Sequence, residues 1–79
     1  MVTISQAIRE VMNELKRIAT ADEVVRKIGE RYPKRWKERA IKTHLYGCSV
    51  NNEPAYTHHR SMPKFLFSHG KGRYELYSQ

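Results

Sequence analysis

Residues 35–48 read RWKERAIKTHLYGC, and their apolar side chains do not alternate as those of a strand would. Ala40, Ile41, His44, Leu45 and Cys48 recur at three- and four-residue steps, which places them on one side of a helix. At about 100° per residue, Arg35, Arg39, Lys42 and Tyr46 gather on the opposite side, flanked by Glu38, Thr43 and Ser49. The pattern predicts a helix that buries one face and offers cations on the other. It starts between Arg35 and Glu38 and stops near Tyr46, where Gly47 favours fraying. Lys37 belongs at or before the first turn, since deeper in the helix it points at the core. Trp36 packs back beside it as a staple.

Two more helices precede this one. Thr3 followed by Gln6 is a capping-box pattern. Ile4, Ala7, Ile8, Val11, Met12, Leu15 and Ile18 then form an amphipathic stripe, predicting a helix from about Ile4 to Arg17 or Ile18. Thr20 followed by Glu23 repeats the capping signal, and Asp22 and Glu23 suit a positive helix N-terminus. Val24, Val25, Ile28 and Tyr32 make the second stripe. Gly29 weakens that helix and Pro33 ends it, because the residue before a proline avoids the α region.

Downstream, SVNNEPAYTHHRSMP (residues 49–63) has no helical stripe and contains two prolines. It is expected to be a loop, with a short extended segment near Ala55 to Thr57. KFLFSH and RYELY follow as strands around Gly70-Lys71-Gly72, whose glycines supply the positive φ angles of a tight hairpin. Phe65 and Phe67 are expected on one strand face, and Tyr74 and Leu76 on one face of the partner. Together they would close the core over the first and third helices. The expectation is a single α+β domain over residues 1–79. Its second and third helices have the helix-turn-helix plan, and its C-terminal β-hairpin is a wing.

Charge separates this chain from an ordinary small domain. Its 15 Lys and Arg against 8 Asp and Glu leave a net of +7, which favours polyanionic partners. Six of the seven surplus charges lie in two segments, 33–47 and 64–79. Seventy-nine residues is near the size at which one unassisted core suffices, and the lone Cys48 rules out an intramolecular disulfide. No apolar stretch approaches the roughly 20 residues of a membrane span, and the N-terminus lacks a signal-peptide pattern. A cytoplasmic, nucleoid-associated protein is expected.

The helix order, the motif ERAIKTHLYGCSVN at 38–51 and the hairpin FLFSHGKGRYELY at 65–77 together resemble a winged helix-turn-helix DNA-binding domain. More narrowly, the two motifs are similar to a little-characterised prokaryotic winged-helix family found alone or fused to restriction-type nucleases. The resemblance implies a third helix in the major groove of duplex DNA and a wing on the backbone or minor groove. Carried residue by residue, and with Arg35 from the basic helix face, it implies Lys37, Glu38, Arg39, Lys42, Thr43 and Tyr46 as groove-facing groups. His69, Lys71 and Arg73 are the implied wing contacts. The 15-residue link before the hairpin departs from a minimal member. It could hide a strand or form a second contact surface through His58, His59 and Arg60.

Other chemistries have less support. His44 and Cys48 are one helical turn apart, a zinc-chelating spacing, but no paired C-x2-C element accompanies them. Both are read as core groups, so neither a metal nor any other cofactor is expected. No paired carboxylates recur, and a Cys48–histidine nucleophile would have to face the core, so no catalytic residue and no enzymatic activity is expected. Single-strand binding by the hairpin aromatics would need several of them exposed together. The expected partner is double-stranded DNA, with no membrane. The chain is read as a small regulator or the recognition module of a larger protein, and as a monomer or weak homodimer. The alternatives are a protein-interaction module or an RNA binder. Only Tyr46 supplies an exposed apolar group on the helix face for the first, and the basic charge permits the second equally well.

Overall fold

The computed structural model describes residues 2–52 and 62–77. Its element order is α1 (Ile4–Leu15), β1 (Ala19–Thr20), α2 (Ala21–Arg31), α3 (Glu38–Gly47), β2 (Leu66–Gly70) and β3 (Arg73–Leu76). Three helices and a C-terminal antiparallel hairpin make an α+β fold compatible with a winged-helix layout. No helix among the described residues is long and apolar enough to cross a membrane.

Both predicted caps form. The Thr3 hydroxyl accepts from the Gln6 N–H at 3.1 Å, and the Gln6 side chain accepts from the Thr3 N–H at 2.9 Å. Ala7, Ile8, Val11 and Met12 deliver the first stripe to the core. The helix ends earlier than predicted, however. Lys16 takes a left-handed φ of 52°, and its N–H closes on the Met12 carbonyl. Ile18, expected on the stripe, is 43% exposed. The reason is non-local: Ala19 and Thr20 leave the helical path to pair with Tyr74 and Arg73 of β3, and Ala19 is buried there.

Thr20 has two roles. Its backbone belongs to β1, while its hydroxyl caps α2 by accepting from the Glu23 N–H at 3.1 Å. Val24 and Ile28 bury the α2 stripe, and the helix stops at Arg31, just before Tyr32 and Pro33. In the connection to α3, Trp36 lies edge-on to Tyr32 with centroids 5.5 Å apart. Lys37 is the N-cap of α3 and makes no side-chain cap, so it sits outside the first turn as predicted. Ile41, Leu45 and Cys48 are buried, while Ala40 and His44 are half-buried. Gly47 is buried inside the helix instead of fraying it.

The sheet has the order β1-β3-β2, so β3 is central and the hairpin is tied to the start of α2. The first N–H of α2, from Ala21, donates to the Gly72 carbonyl at 2.7 Å. Gly72 has φ +72°, and a Cβ there would sit 4.0 Å from the Ala21 Cβ. Glycine is needed there for the turn geometry, since the space would admit a Cβ.

The pleat of β2 is opposite to the expectation. Leu66 pairs with Leu76 and Ser68 with Tyr74, so these four share the core face. Leu66 is fully buried and Tyr74 nearly so. Phe67, opposite Glu75, is on the outer face. Phe65 is buried all the same as part of the core cluster, and the Arg9 guanidinium lies over its ring at 4.5 Å. With apolar residues at 65, 66 and 67, alternation could not choose the face; the register did.

The chain leaving α3 lines the free edge of β2. Ser49 forms a parallel bridge with Leu66, and the Val50 N–H donates to the Leu66 carbonyl at 2.8 Å. The Asn51 side chain then imitates a strand. Its Nδ2 donates to the Ser68 carbonyl at 2.8 Å, and its Oδ1 accepts from the Ser68 N–H at 2.9 Å. A row of unpaired edge groups is thus covered. This pairing falls at 49–51; the extended segment predicted at Ala55–Thr57 and the His58-His59-Arg60 surface lie outside the described residues.

Candidate nucleic-acid interface

Helix α3, the N-terminus of α2 and the hairpin tip meet around one open groove of about 420 Å3. It is lined by Thr20, Ala21, Asp22, Lys42, Lys71, Gly72 and Tyr74. Lys42 and Lys71 come from the two basic segments, so the tertiary fold joins clusters that the sequence separates. The Ala21–Gly72 hydrogen bond sets their spacing, since it fixes the hairpin tip against α2. Lys71 itself has φ 55° between Gly70 (φ 79°) and Gly72, and its side chain is exposed at the turn.

The candidate residues divide by their local partners. Arg39 is exposed on α3, Lys37 is exposed at its N-cap, and Lys71 and Arg73 are exposed in the hairpin. Among the described residues none of these four has a carboxylate partner. Lys42 differs: its Nζ lies 3.1 Å from Glu38 and 3.1 Å from Asp22. The hydrogen bond to Glu38, then that to Asp22, pushes its pKa above the ordinary lysine value. Glu38 thus holds Lys42 by an i,i+4 contact, the favourable order on a helix. Thr43 is half-buried, and Tyr46, at 36% exposure, ends the same face.

Three candidates lie elsewhere. Arg35 precedes α3, donates to the Val2 carbonyl at 3.0 Å and stacks on Trp36 at 4.8 Å. It braces the α2–α3 connection against α1 and is not part of the groove. His69 bonds Glu75 at 2.7 Å on the outer face of the hairpin. Arg73 alternates with buried Tyr74 and therefore faces away from the groove too.

Sequence reasoning missed Asp22 and Tyr74 as groove residues. Asp22 carried only the signal of a helix first turn, and Tyr74 only that of a core aromatic. Tyr74 has its phenol pKa raised, first by burial and then by the neighbouring Tyr46.

His44 and Cys48, one helical turn apart, each have another neighbour. His44 donates from Nδ1 to the Ala40 carbonyl at 2.9 Å, one turn back in its own helix. Cys48 is fully buried, 3.7 Å from the Ser5 hydroxyl, and burial pushes its thiol pKa up. Among the described residues no three histidine, cysteine or acidic side chains gather as a metal site.

No curated protein and no solved structure matches this chain. Residues 3–76 match the family described as Domain of unknown function (DUF7669), and the chain belongs to that family.

Proposed function

We propose that this protein binds double-stranded DNA as a non-enzymatic winged helix-turn-helix module, either a small regulator or the recognition part of a larger protein. The observation that carries the reading is the groove shared by Lys42 and Lys71. Helix α3 presents Lys37, Arg39, Lys42 and Tyr46 to the major groove. Their chemistry suits it: arginine and lysine meet guanine edges or phosphates, and the Tyr46 hydroxyl donates to phosphate. Lys71 reaches the neighbouring backbone from the hairpin tip, which answers why so tight a turn carries a cation.

The test is an NMR titration with a short generic duplex at two salt concentrations. Shift changes centred on residues 37–46 and 70–73 are expected, and they weaken as salt rises. The log–log salt slope should be about −0.9 for each phosphate contact. No shift in either segment at low salt overturns the proposal. Stronger binding to A-form RNA than to the duplex moves the function to RNA.

A further inference from the structure

The outer face of the hairpin carries a row of aromatic rings that duplex binding does not use. Phe67 lies near-parallel to Tyr77, with centroids 6.3 Å apart and planes 17° from parallel. It meets His69 edge-on at 5.2 Å. The Tyr77 N–H donates to the Phe65 carbonyl at 2.9 Å, which extends the hairpin pairing beyond β3 and holds the Tyr77 ring beside this face. His69, two residues on from Phe67, shares its face by the alternation of the strand. Beyond it the register shifts: Ser68 pairs with Tyr74 but Gly70 with Arg73, so β2 uses one extra residue at the tip.

Cross-strand aromatics stabilise hairpins by themselves. Two observations go beyond that account. Tyr77 is 41% exposed and Phe67, stacked on it, is partly exposed, so the two rings together meet solvent. The charges around the row are also one-sided. Arg73 and Lys71 stand at the tip end, and Arg9 lies over Phe65 at the other. Glu75, on the same face, is held by His69. Rings flanked by cations match unpaired nucleotides, whose bases stack while their phosphates pair with charge. The row begins at the same tip that supplies Lys71 to the groove.

We infer that the outer face of the hairpin, through Phe67 and Tyr77, stacks unpaired bases of a single-stranded tail adjoining the bound duplex. This extends the duplex reading, and the two can fail separately. The test compares anisotropy titrations of a blunt duplex and the same duplex bearing a tail of about four thymidines. A tail should raise affinity roughly ten-fold. The increment should vanish in Tyr77→Leu and Phe67→Leu but persist in Tyr77→Phe, while blunt-duplex affinity stays unchanged in all three. Tyr77 lies beyond the last strand, so its variants leave the core intact, and a circular dichroism melt checks this. Equal affinity for blunt and tailed duplexes overturns the inference, as does an increment that survives both leucine variants. A Tyr77-dependent dimer in sedimentation also overturns it, since the occupant would then be a second copy. Binding of tailed but not blunt DNA, lost in Tyr77→Leu, would sustain this inference and sink the duplex proposal.

Discussion

The cations of the α1–α2 side and those of the α3–hairpin side have different surroundings. On the first, Arg31 reaches both Glu10 and Glu14, and Arg17 forks onto Glu23, with Nη1 2.9 Å from Oε1. On the second, Lys37, Arg39, Lys71 and Arg73 have no carboxylate partner among the described residues, and Lys42 is bracketed by Glu38 and Asp22. Both sides are rich in Lys and Arg. Arg17, Arg31 and Lys42 are neutralised locally, whereas Lys37, Arg39, Lys71 and Arg73 have no carboxylate opposing them among the described residues. A net charge cannot show this difference, on which the proposed binding of a polyanion draws.

The largest effect should come from removing what holds the two sides together. Leu66 is fully buried where the hairpin meets the helices. Leu66→Ala should lower the unfolding free energy by about 2–5 kcal/mol, measured by urea denaturation. A smaller loss would mean that the hairpin is only loosely joined to the helical core. Next, Arg39→Ala should weaken duplex binding roughly ten-fold and flatten the salt slope by about 0.9. Arg31→Ala should leave both unchanged. Equal losses in the two variants would erase the contrast between the sides.

Asp22→Asn sharpens the comparison in the opposite direction. It removes one of the two carboxylates on Lys42, so duplex affinity should rise, by less than about five-fold. A fall in affinity would show that Asp22 positions Lys42 and does not restrain it. The smallest effect concerns the paired side. The hydrogen bond from Arg17 is the main cause holding the Glu23 pKa below its ordinary value of 4.5. A carboxyl depressed in the folded state adds stability above its unfolded pKa and loses it as pH falls through the folded one. The melting-temperature gap between the native protein and Glu23→Gln should therefore be open at pH 7 and close progressively as the pH falls below the ordinary carboxyl value of 4.5. A gap that persists in acid would assign the effect to the uncharged parts of the contact.

Much of the fold was legible because it depends on neighbours in sequence. The capping signals at Thr3 and Thr20, the stop at Pro33, the core face of α3 and the Gly-Lys-Gly turn are all local. The misreadings were non-local. The end of α1 was misplaced because Lys16 turns the chain into a two-residue strand that only β3 explains. Phe67 was assigned to the core because three successive apolar residues satisfy either pleat. Asp22 was read as a helix-end charge, although its carboxylate also reaches a lysine twenty residues later.

The sequence alone determined the order of the three helices and the hairpin, the turn and the concentration of positive charge in two segments, because periodicity, capping and composition are properties of short stretches. Only the tertiary structure decided which face of the hairpin is buried and that Lys42 and Lys71 share a groove. It also decided which cations remain without a partner. Those outcomes depend on strand register and on contacts between distant residues, and a one-residue slip would exchange the buried and exposed faces of β2.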